Sequence, residues 1–194
     1  MNETKRRILD KSKKLFKEKG FKDTTINEIC KEAKISKHTF YYYFDSKEIL
    51  FENLVFPNEE ELKTTILSEI ALKNSAFEKY MTINNSIINK YVEFGPQLAT
   101  ELFIYKLSSS LLKREHGPMH QILNSLIEQA KKDGEINCEG SSSDLLRYTG
   151  AMMVGITFFW AKSNGRFDLK TEINDSVCTL LNVNRDLINF ENLG

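Results

Sequence analysis

Helix start and stop signals follow one another closely near the N-terminus of the chain. An amphipathic stretch over residues 5–17 leads to Gly20, where glycine readily adopts the conformations that end a helix. Thr25 and Glu28 have the spacing of a capping box, which predicts the start of a second helix. Ser36 is a suitable cap for a third. The spacing therefore predicts three short helices with a tight turn before the third, which is a helix-turn-helix.

The third predicted helix carries five consecutive aromatic residues, at positions 40–44 of the stretch SKHTFYYYFDSKE. At 100° per residue, Phe40, Tyr43 and Phe44 share one face, which we expect to pack inward. Hydrogen-bond donors that suit phosphates and base edges occupy the outward arc and its flank, and they are Lys37, His38, Thr39, Tyr41 and Tyr42. This arc is typical of a DNA-reading surface, although a partner protein would also accept exposed tyrosines.

Charge supports the first interpretation, because the formal net charge of zero conceals an uneven distribution. Residues 1–50 carry 13 Lys and Arg against 8 Asp and Glu, a difference of +5. Residues 51–194 carry 14 against 19, a difference of −5. A local excess of positive charge suits a nucleic-acid-binding region, since counterion release depends on the charge at the contact surface.

The stretch ILDKSKKLFKEKGFKDTTINEICKEAKISKHTFYYYFDSKEIL, residues 8–50, resembles the DNA-binding domain of the TetR family of bacterial transcriptional regulators. The resemblance implies a dimeric, all-helical repressor whose larger C-terminal domain binds a small molecule and thereby loosens the grip on DNA. It also implies DNA-binding roles, with phosphate contacts at Thr25, Tyr41, Tyr42 and Lys47 and base contacts at Asn27, Lys37, His38 and Thr39. Two positions depart from the family pattern: Lys34 replaces the usual glycine, and His38 replaces a small residue.

The remainder of the chain also favours helices, because 194 residues include only three prolines and nine glycines. A capping box at Ser75 and Glu78 opens a long helix, which Gly95-Pro96 interrupts. Later helices are predicted at Pro118–Lys132, Leu145–Ala161 and Ile173–Leu181. We therefore expect an all-α fold with two domains, a helix-turn-helix domain over residues 1–47 and a larger helical ligand-binding and dimerisation domain over residues 48–194.

The long helices of the second domain suggest an effector site and a dimer interface. Inward positions between them are candidates for effector binding, although each also suits an ordinary core, and they are Asn84, Ile88, Tyr91, Phe103, Met152 and Phe158. Too many helical faces are apolar for one small domain to bury. The family's usual homodimer, a four-helix bundle of the last two helices of each subunit, would bury the surfaces of 145–161 and 173–181.

Other function classes find less support in the sequence. The three cysteines are widely spaced and surrounded by apolar residues, which predicts buried thiols in a reducing, cytoplasmic setting. No apolar run approaches the ~20 residues that span a membrane, so we expect no membrane insertion. His116 and His120 have metal-ligand spacing, but Gly117-Pro118 separates them, and we expect neither a metal nor another cofactor. A helical protein-interaction module and an unfamiliar helical enzyme remain as alternatives to a DNA-binding regulator.

Overall fold

Helices make up most of the chain that the computed structural model describes, namely residues 2–55, 67–108, 117–184 and 186–188. Within these ranges, the predicted all-α fold is confirmed. Nine helices occur there: α1 (Glu3–Lys19), α2 (Ile26–Ala33), α3 (Lys37–Tyr43), α4 (Lys47–Val55), α5 (Leu67–Ala71), α6 (Ala76–Ser108), α7 (Pro118–Lys132), α8 (Ser142–Lys162) and α9 (Leu169–Leu180). We call helices α1–α4 (residues 2–55) the head and helices α5–α9 (residues 67–188) the body.

The predicted helix ends in the head are confirmed. The amide of Gly20, which has a φ of 84°, donates to the Phe16 carbonyl and ends α1. At the start of α2, both halves of the capping box between Thr25 and Glu28 are formed. The Ser36 hydroxyl accepts a hydrogen bond from the Thr39 amide at the start of α3. Local sequence signals therefore determine where the first three helices begin and end.

Lys34 takes the left-handed conformation that the turn after α2 requires, with φ 51° and ψ 53°. The Ile35 amide donates to the Cys30 carbonyl at 3.0 Å, and the Lys34 amide donates to the Lys31 carbonyl at 3.2 Å. These two bonds form a Schellman motif, in which glycine is the favoured left-handed residue. The turn is therefore retained with a lysine at this position, at a cost in backbone strain.

An aromatic cluster forms the centre of the head core. The rings of Phe16, Phe21 and Phe51 lie 5.0–5.4 Å apart between centroids, and Phe94 of α6 packs edge-on against Phe51 at 5.8 Å. Other buried residues of α6 complete the same core, and these are Leu98 and Leu102. The core of the head thus includes α4 and the middle of α6, while the predicted domain boundary after residue 47 stays a prediction.

Helix α6 is interrupted where the sequence predicted. Gly95 has a φ of 84° and a ψ of 166°, which breaks the helical path just before Pro96. Most buried residues before this kink pack in the body core, whereas Phe94, Leu98 and Leu102 pack in the head core. One helix therefore joins the two cores.

Polar bonds also join α6 to the head. Glu93 pairs with Lys13 at 2.7 Å and with Lys17 at 3.4 Å. The hydrogen bond from Lys13 holds the pKa of the Glu93 carboxyl below its ordinary value. Beyond the kink, the Glu101 carboxylate accepts a hydrogen bond from the Phe21 amide at 2.9 Å. The head therefore contacts α6 on both sides of Gly95.

Buried polar groups organise the body core. The Glu135 carboxylate accepts hydrogen bonds from the amides of Ala76 at 3.2 Å and Phe77 at 2.7 Å, so it caps α6 from a distant segment. Ser75 accepts a bond from the Glu78 amide at the same helix end. This arrangement places a negative charge at the positive end of the helix dipole. The cap predicted at Ser75 is confirmed, and Glu135 adds a second one that the local sequence does not reveal.

Helix α8 begins earlier than predicted, at Ser142 rather than Leu145, because Ser141 caps it through the Asp144 amide. Helix α9 contains the predicted stripe residues Ile173 and Val177, both buried, and starts at Leu169 after the Asp168 cap on the Thr171 amide. A buried bond from the Tyr80 hydroxyl to the Thr149 hydroxyl, at 2.8 Å, connects α6 to α8.

Two further expectations can be compared with the described residues. Cys30 and Cys178 are buried free thiols, as predicted, whereas Cys138 is only partly buried. Among the described helices, none is long and apolar enough to span a membrane. His116 lies outside the described residues.

Candidate nucleic-acid interface and effector site

The predicted division of α3 into two faces is confirmed. Phe40 and Phe44 are buried in the head core, and Tyr43 is partly buried against it. On the other face, the Tyr41 side chain is 50% exposed and the Tyr42 side chain 78% exposed. Lys37 and His38 are also exposed, and Thr39 is partly buried. The structure therefore brings the sequence-predicted α3 residues together on one outward surface.

Contacts within the head hold this surface in place. The hydroxyls of Ser36 and Thr39 lie 2.9 Å apart, which fixes the first turn of α3. The Tyr42 ring meets the ring of Tyr43 edge-on at 4.9 Å, and the Tyr41 ring meets that of Phe40 edge-on at 5.5 Å. The exposed tyrosines are thus positioned by inward-facing rings, which lowers the entropic cost of ordering them against a partner.

The N-terminus of α2 carries the next predicted contacts. Asn27 is exposed. The Thr25 hydroxyl donates to the Glu28 carboxylate at 2.9 Å and accepts from the Glu28 amide at 3.2 Å. Hydrogen bonds from Lys19 and Thr25 lower the pKa of the Glu28 carboxyl to about 2. The Thr25 hydroxyl is therefore committed to the capping box, and a phosphate contact would have to displace its bond to Glu28.

Lys47 has an internal role that sequence reasoning missed. Its ammonium donates to the carbonyls of Phe21 at 2.6 Å, Lys22 at 3.3 Å and Thr24 at 2.7 Å, and it lies over the Phe21 ring. Burial lowers the pKa of this ammonium. Since an ammonium has three donors, all are used within the head. A phosphate contact from Lys47 stays a prediction, and it would replace one of these bonds.

The effector candidates fall into separate groups. The Asn84 amide group donates to the Tyr80 carbonyl of its own helix at 2.8 Å, and Ile88 is buried in the body core. Met152 packs against that core and also borders a shallow groove whose other residues, on α9, are Asp175, Ser176, Thr179 and Leu180. Met152 precedes Phe158 by six residues in α8, so these two side chains lie about 120° apart around the helix.

The structure does bring three of the candidates together in a row of aromatic rings. The rings of Tyr91 and Phe103 are nearly parallel, with an interplanar angle of 12° and centroids 6.3 Å apart. Phe158 of α8 meets Phe103 edge-on at 5.9 Å. Tyr91 also contacts both the head core and the body core. The row therefore spans the junction of the two regions.

A carboxylate that the sequence analysis did not single out lies near this row. Glu52 of α4 is only 9% exposed, and its negative charge is close enough to Tyr91 to affect the tyrosine hydroxyl. Burial, followed by this charge, raises the pKa of Tyr91. An acidic residue inside the apolar stretch ILFENLV was the available signal.

Helix α8 also presents an apolar surface to solvent. Val154 is 58% exposed and Phe159 is 64% exposed, and Tyr148 and Phe158 are exposed as well. Gly150 and Gly155 of this helix have open space around their Cα atoms. We call these four large side chains the α8 face. Within the described residues, no group of three metal-ligating side chains is present.

Comparisons with known proteins agree with this architecture. The family model for bacterial regulatory proteins of the tetR family matches residues 8–54. The uncharacterized HTH-type transcriptional regulator YuxN of Bacillus subtilis (strain 168) is 35% identical over 97 residues, which are 48% of this chain and 33% of YuxN. IcaR of Staphylococcus aureus (strain Newman), the negative regulator of the biofilm operon icaADBC, is 32% identical over 102 residues, 47% of this chain and 53% of IcaR. The match thus spans a third to about half of these relatives.

Solved structures extend the similarity to the body. The crystal structure of Thermus thermophilus FadR, a TetR-family repressor in complex with lauroyl-CoA, superimposes with a TM-score of 0.68. The superposition covers 91% of this chain and 93% of that one at 20% sequence identity, so it establishes a shared fold. The head therefore matches the family model for bacterial regulatory proteins of the tetR family, and the chain as a whole shares the fold of a TetR-family repressor.

Proposed function

We propose that this regulator is a ligand-responsive repressor, which binds a near-palindromic operator as a homodimer and is released by a small-molecule effector. The observation that carries the proposal is the outward surface of α3. Exposed donors stand on a short helix whose other face is fixed in an aromatic core. Such a helix suits the major groove, where donors from one face reach phosphates and base edges.

Two classes of contact follow from this surface. Tyr41 and Tyr42 are proposed to donate hydrogen bonds to phosphates, together with Thr25 and Lys47. Base edges are proposed to be contacted by Asn27, Lys37, His38 and Thr39. Phosphate contacts position the protein on any duplex, whereas base contacts select the sequence.

A homodimer is proposed through α8 and α9, because the α8 face is apolar and exposed in the single chain. Two-fold symmetry would present two copies of α3 to successive major grooves about 34–36 Å apart. The operator would then be a near-palindrome.

The proposed effector binds in the body and alters the position of the head. Only a ligand with different affinities for the two conformations can shift their populations. The contacts that support such coupling are those of α6, since Glu93 and Glu101 bond to the head on either side of the Gly95 kink. A change in the kink would therefore alter the spacing of the two heads in a dimer.

The test is selection of bound duplexes from a random DNA pool at two salt concentrations, with matched variants. Tyr41→Phe removes one proposed phosphate contact, and we expect about tenfold weaker binding to every bound sequence. His38→Ala should change the preferred sequence. Tyr43→Phe removes an inward hydroxyl from the same helix and serves as the control. No enriched palindrome for the wild-type protein would contradict the proposal and favour a protein-contact role for α3.

A further inference from the structure

Phe21, in the loop between α1 and α2, bonds to two other helices at once. Its amide donates to the Glu101 carboxylate of α6 at 2.9 Å, and its carbonyl accepts from the Lys47 ammonium of α4 at 2.6 Å. The same ammonium lies 4.3 Å from the centroid of the Phe21 ring, which stacks on the Phe51 ring of α4 at 5.0 Å. One loop residue therefore links α6 to α4.

The rest of this loop, residues 20–24, is also fixed by hydrogen bonds. The Lys47 ammonium donates to the carbonyls of Lys22 at 3.3 Å and Thr24 at 2.7 Å. The Thr24 side chain is buried, and its hydroxyl donates to the Gly20 carbonyl at 2.7 Å. A Cβ atom at Gly20 would lie 3.9 Å from Glu101 Oε1, so the carboxylate lies against the start of the loop. Glu101 therefore holds the loop whose carbonyls orient the Lys47 ammonium.

The charge of Glu101, taken alone, would act against DNA binding. Burial lowers the pKa of the Lys47 ammonium, and the negative charges of Glu48 and Glu101 oppose this effect. A carboxylate near a phosphate-binding ammonium repels the phosphate, so its removal should strengthen DNA binding through electrostatics. If Glu101 instead acts by fixing the loop, its removal should weaken DNA binding. The two roles therefore predict effects of opposite sign.

We propose that Glu101 is a positioning residue for DNA binding: by holding the Phe21 amide, it fixes the loop that aims Lys47 at an operator phosphate. This inference rests on the proposed function, since it concerns the proposed phosphate contact of Lys47. When a phosphate replaces one of the three loop carbonyls, the other two keep the ammonium in place. Glu101 also follows the Gly95 kink within α6, so a change in the kink would reach Lys47 through this loop.

The first experiment measures how tightly the full-length protein binds a duplex that the wild-type protein selects. Fluorescence anisotropy gives the affinity over a range of salt concentrations. Lys47→Ala should weaken binding by about tenfold or more and reduce the slope of log affinity against log salt by about one per subunit. Glu101→Ala should have both effects, although it removes a negative charge. Stronger binding by Glu101→Ala, or an unchanged salt slope in either variant, overturns the inference.

The second experiment separates the hydrogen bond of Glu101 from its charge. Glu101→Gln loses the same charge as Glu101→Ala but keeps a side-chain oxygen that can accept from the Phe21 amide. We therefore expect Glu101→Gln to retain the wild-type salt slope and to bind the duplex within about threefold of wild type. An equal loss of affinity in Glu101→Gln and Glu101→Ala would overturn the inference.

The third experiment is a double-mutant cycle. Glu101→Ala combined with Lys47→Ala should weaken binding little more than either substitution alone, because both remove the same phosphate contact. The matched control is Glu93, which joins α6 to the head through Lys13 and Lys17 of α1. Glu93→Ala and Lys47→Ala should have additive effects to within about twofold. Thermal midpoints identify any variant that fails to fold, and additive effects of Glu101→Ala and Lys47→Ala in folded variants would contradict the inference.

These outcomes distinguish failure of the inference from failure of the proposed function. If the wild-type protein selects an operator but Glu101 and Lys47 act independently, the repressor role stands and the positioning role of Glu101 does not. If the wild-type protein selects no duplex, both fail, because Lys47 then has no operator phosphate to contact.

Discussion

The head and the body treat their large apolar side chains differently. Within residues 2–55, the exposed examples are Tyr41 and Tyr42, whose hydroxyls can donate hydrogen bonds. In the body, the exposed examples include Val154, Phe158 and Phe159 on one helix, which offer no polar group. The exposed surface of the head therefore suits a polar partner, whereas the α8 face suits an apolar one.

The two regions therefore need different partners to cover their exposed side chains. Aromatic contacts within the chain, including that of Phe94 of α6, bury the head core. The body also has a buried core, yet one of its helices still exposes apolar side chains to water. Three variants test this contrast, beginning with the largest expected effect.

Val154→Glu should separate the proposed dimer, because each subunit would place an uncompensated charge in the apolar interface. Such a charge costs 3–5 kcal/mol when buried, so we expect dimerisation to weaken by about 1,000-fold or more. The measurement is light scattering coupled to size-exclusion chromatography, with operator affinity in parallel. Leu72→Glu changes an exposed apolar residue outside α8 and is the control. A Val154→Glu protein that remains dimeric would exclude this face as the interface.

Glu135→Gln should destabilise the body while leaving the head surface unchanged. The substitution removes the charge that caps α6 and turns an acceptor into a group that also carries donors. Since hydrogen bonds to charged groups contribute about 1.5–3 kcal/mol, we expect a loss of about 2 kcal/mol in unfolding free energy. Chemical denaturation measures it, and Glu139→Gln in the exposed part of the same segment is the control. An unchanged unfolding midpoint would mean that the cap contributes nothing to stability.

Lys34→Gly should stabilise the head slightly. A left-handed lysine costs about 1–2 kcal/mol, while glycine loses about 0.5–1 kcal/mol more conformational entropy on folding, so a net gain of about 0.5–1 kcal/mol is expected. Lys34→Ala removes the charge but keeps the strained conformation, and it should bring no comparable gain. Hydrogen exchange of the α2 amides measures the local effect. Equal gains in both variants would assign the effect to charge rather than to backbone strain.

Sequence patterns predict the parts of this molecule that depend on near neighbours. Gly20, Thr25 and Ser36 act within one helical turn, and helical periodicity alone separates Phe40 from Tyr42 on α3. The left-handed turn at Lys34 was also foreseeable, since the resemblance placed a glycine there. These features require no knowledge of the rest of the fold.

The features that sequence reasoning missed depend on distant contacts. Glu135 caps a helix that starts 59 residues earlier, and Lys47 reaches carbonyls 23–26 residues before it. In both cases the side-chain type was visible, but its partner was set by tertiary packing. Asn84 donates to the Tyr80 carbonyl of its own helix, and its role as an effector residue stays a prediction.

The share of α6 in the head core limits how this protein can be divided. Phe94, Leu98 and Leu102 supply buried surface to a core whose other members end at Phe51. A fragment cut after residue 55 would lose all three side chains and expose Phe16, Phe21 and Phe51. A chimera that transfers the head to another protein must therefore carry a compatible α6, so the head and the body do not exchange freely at a single junction.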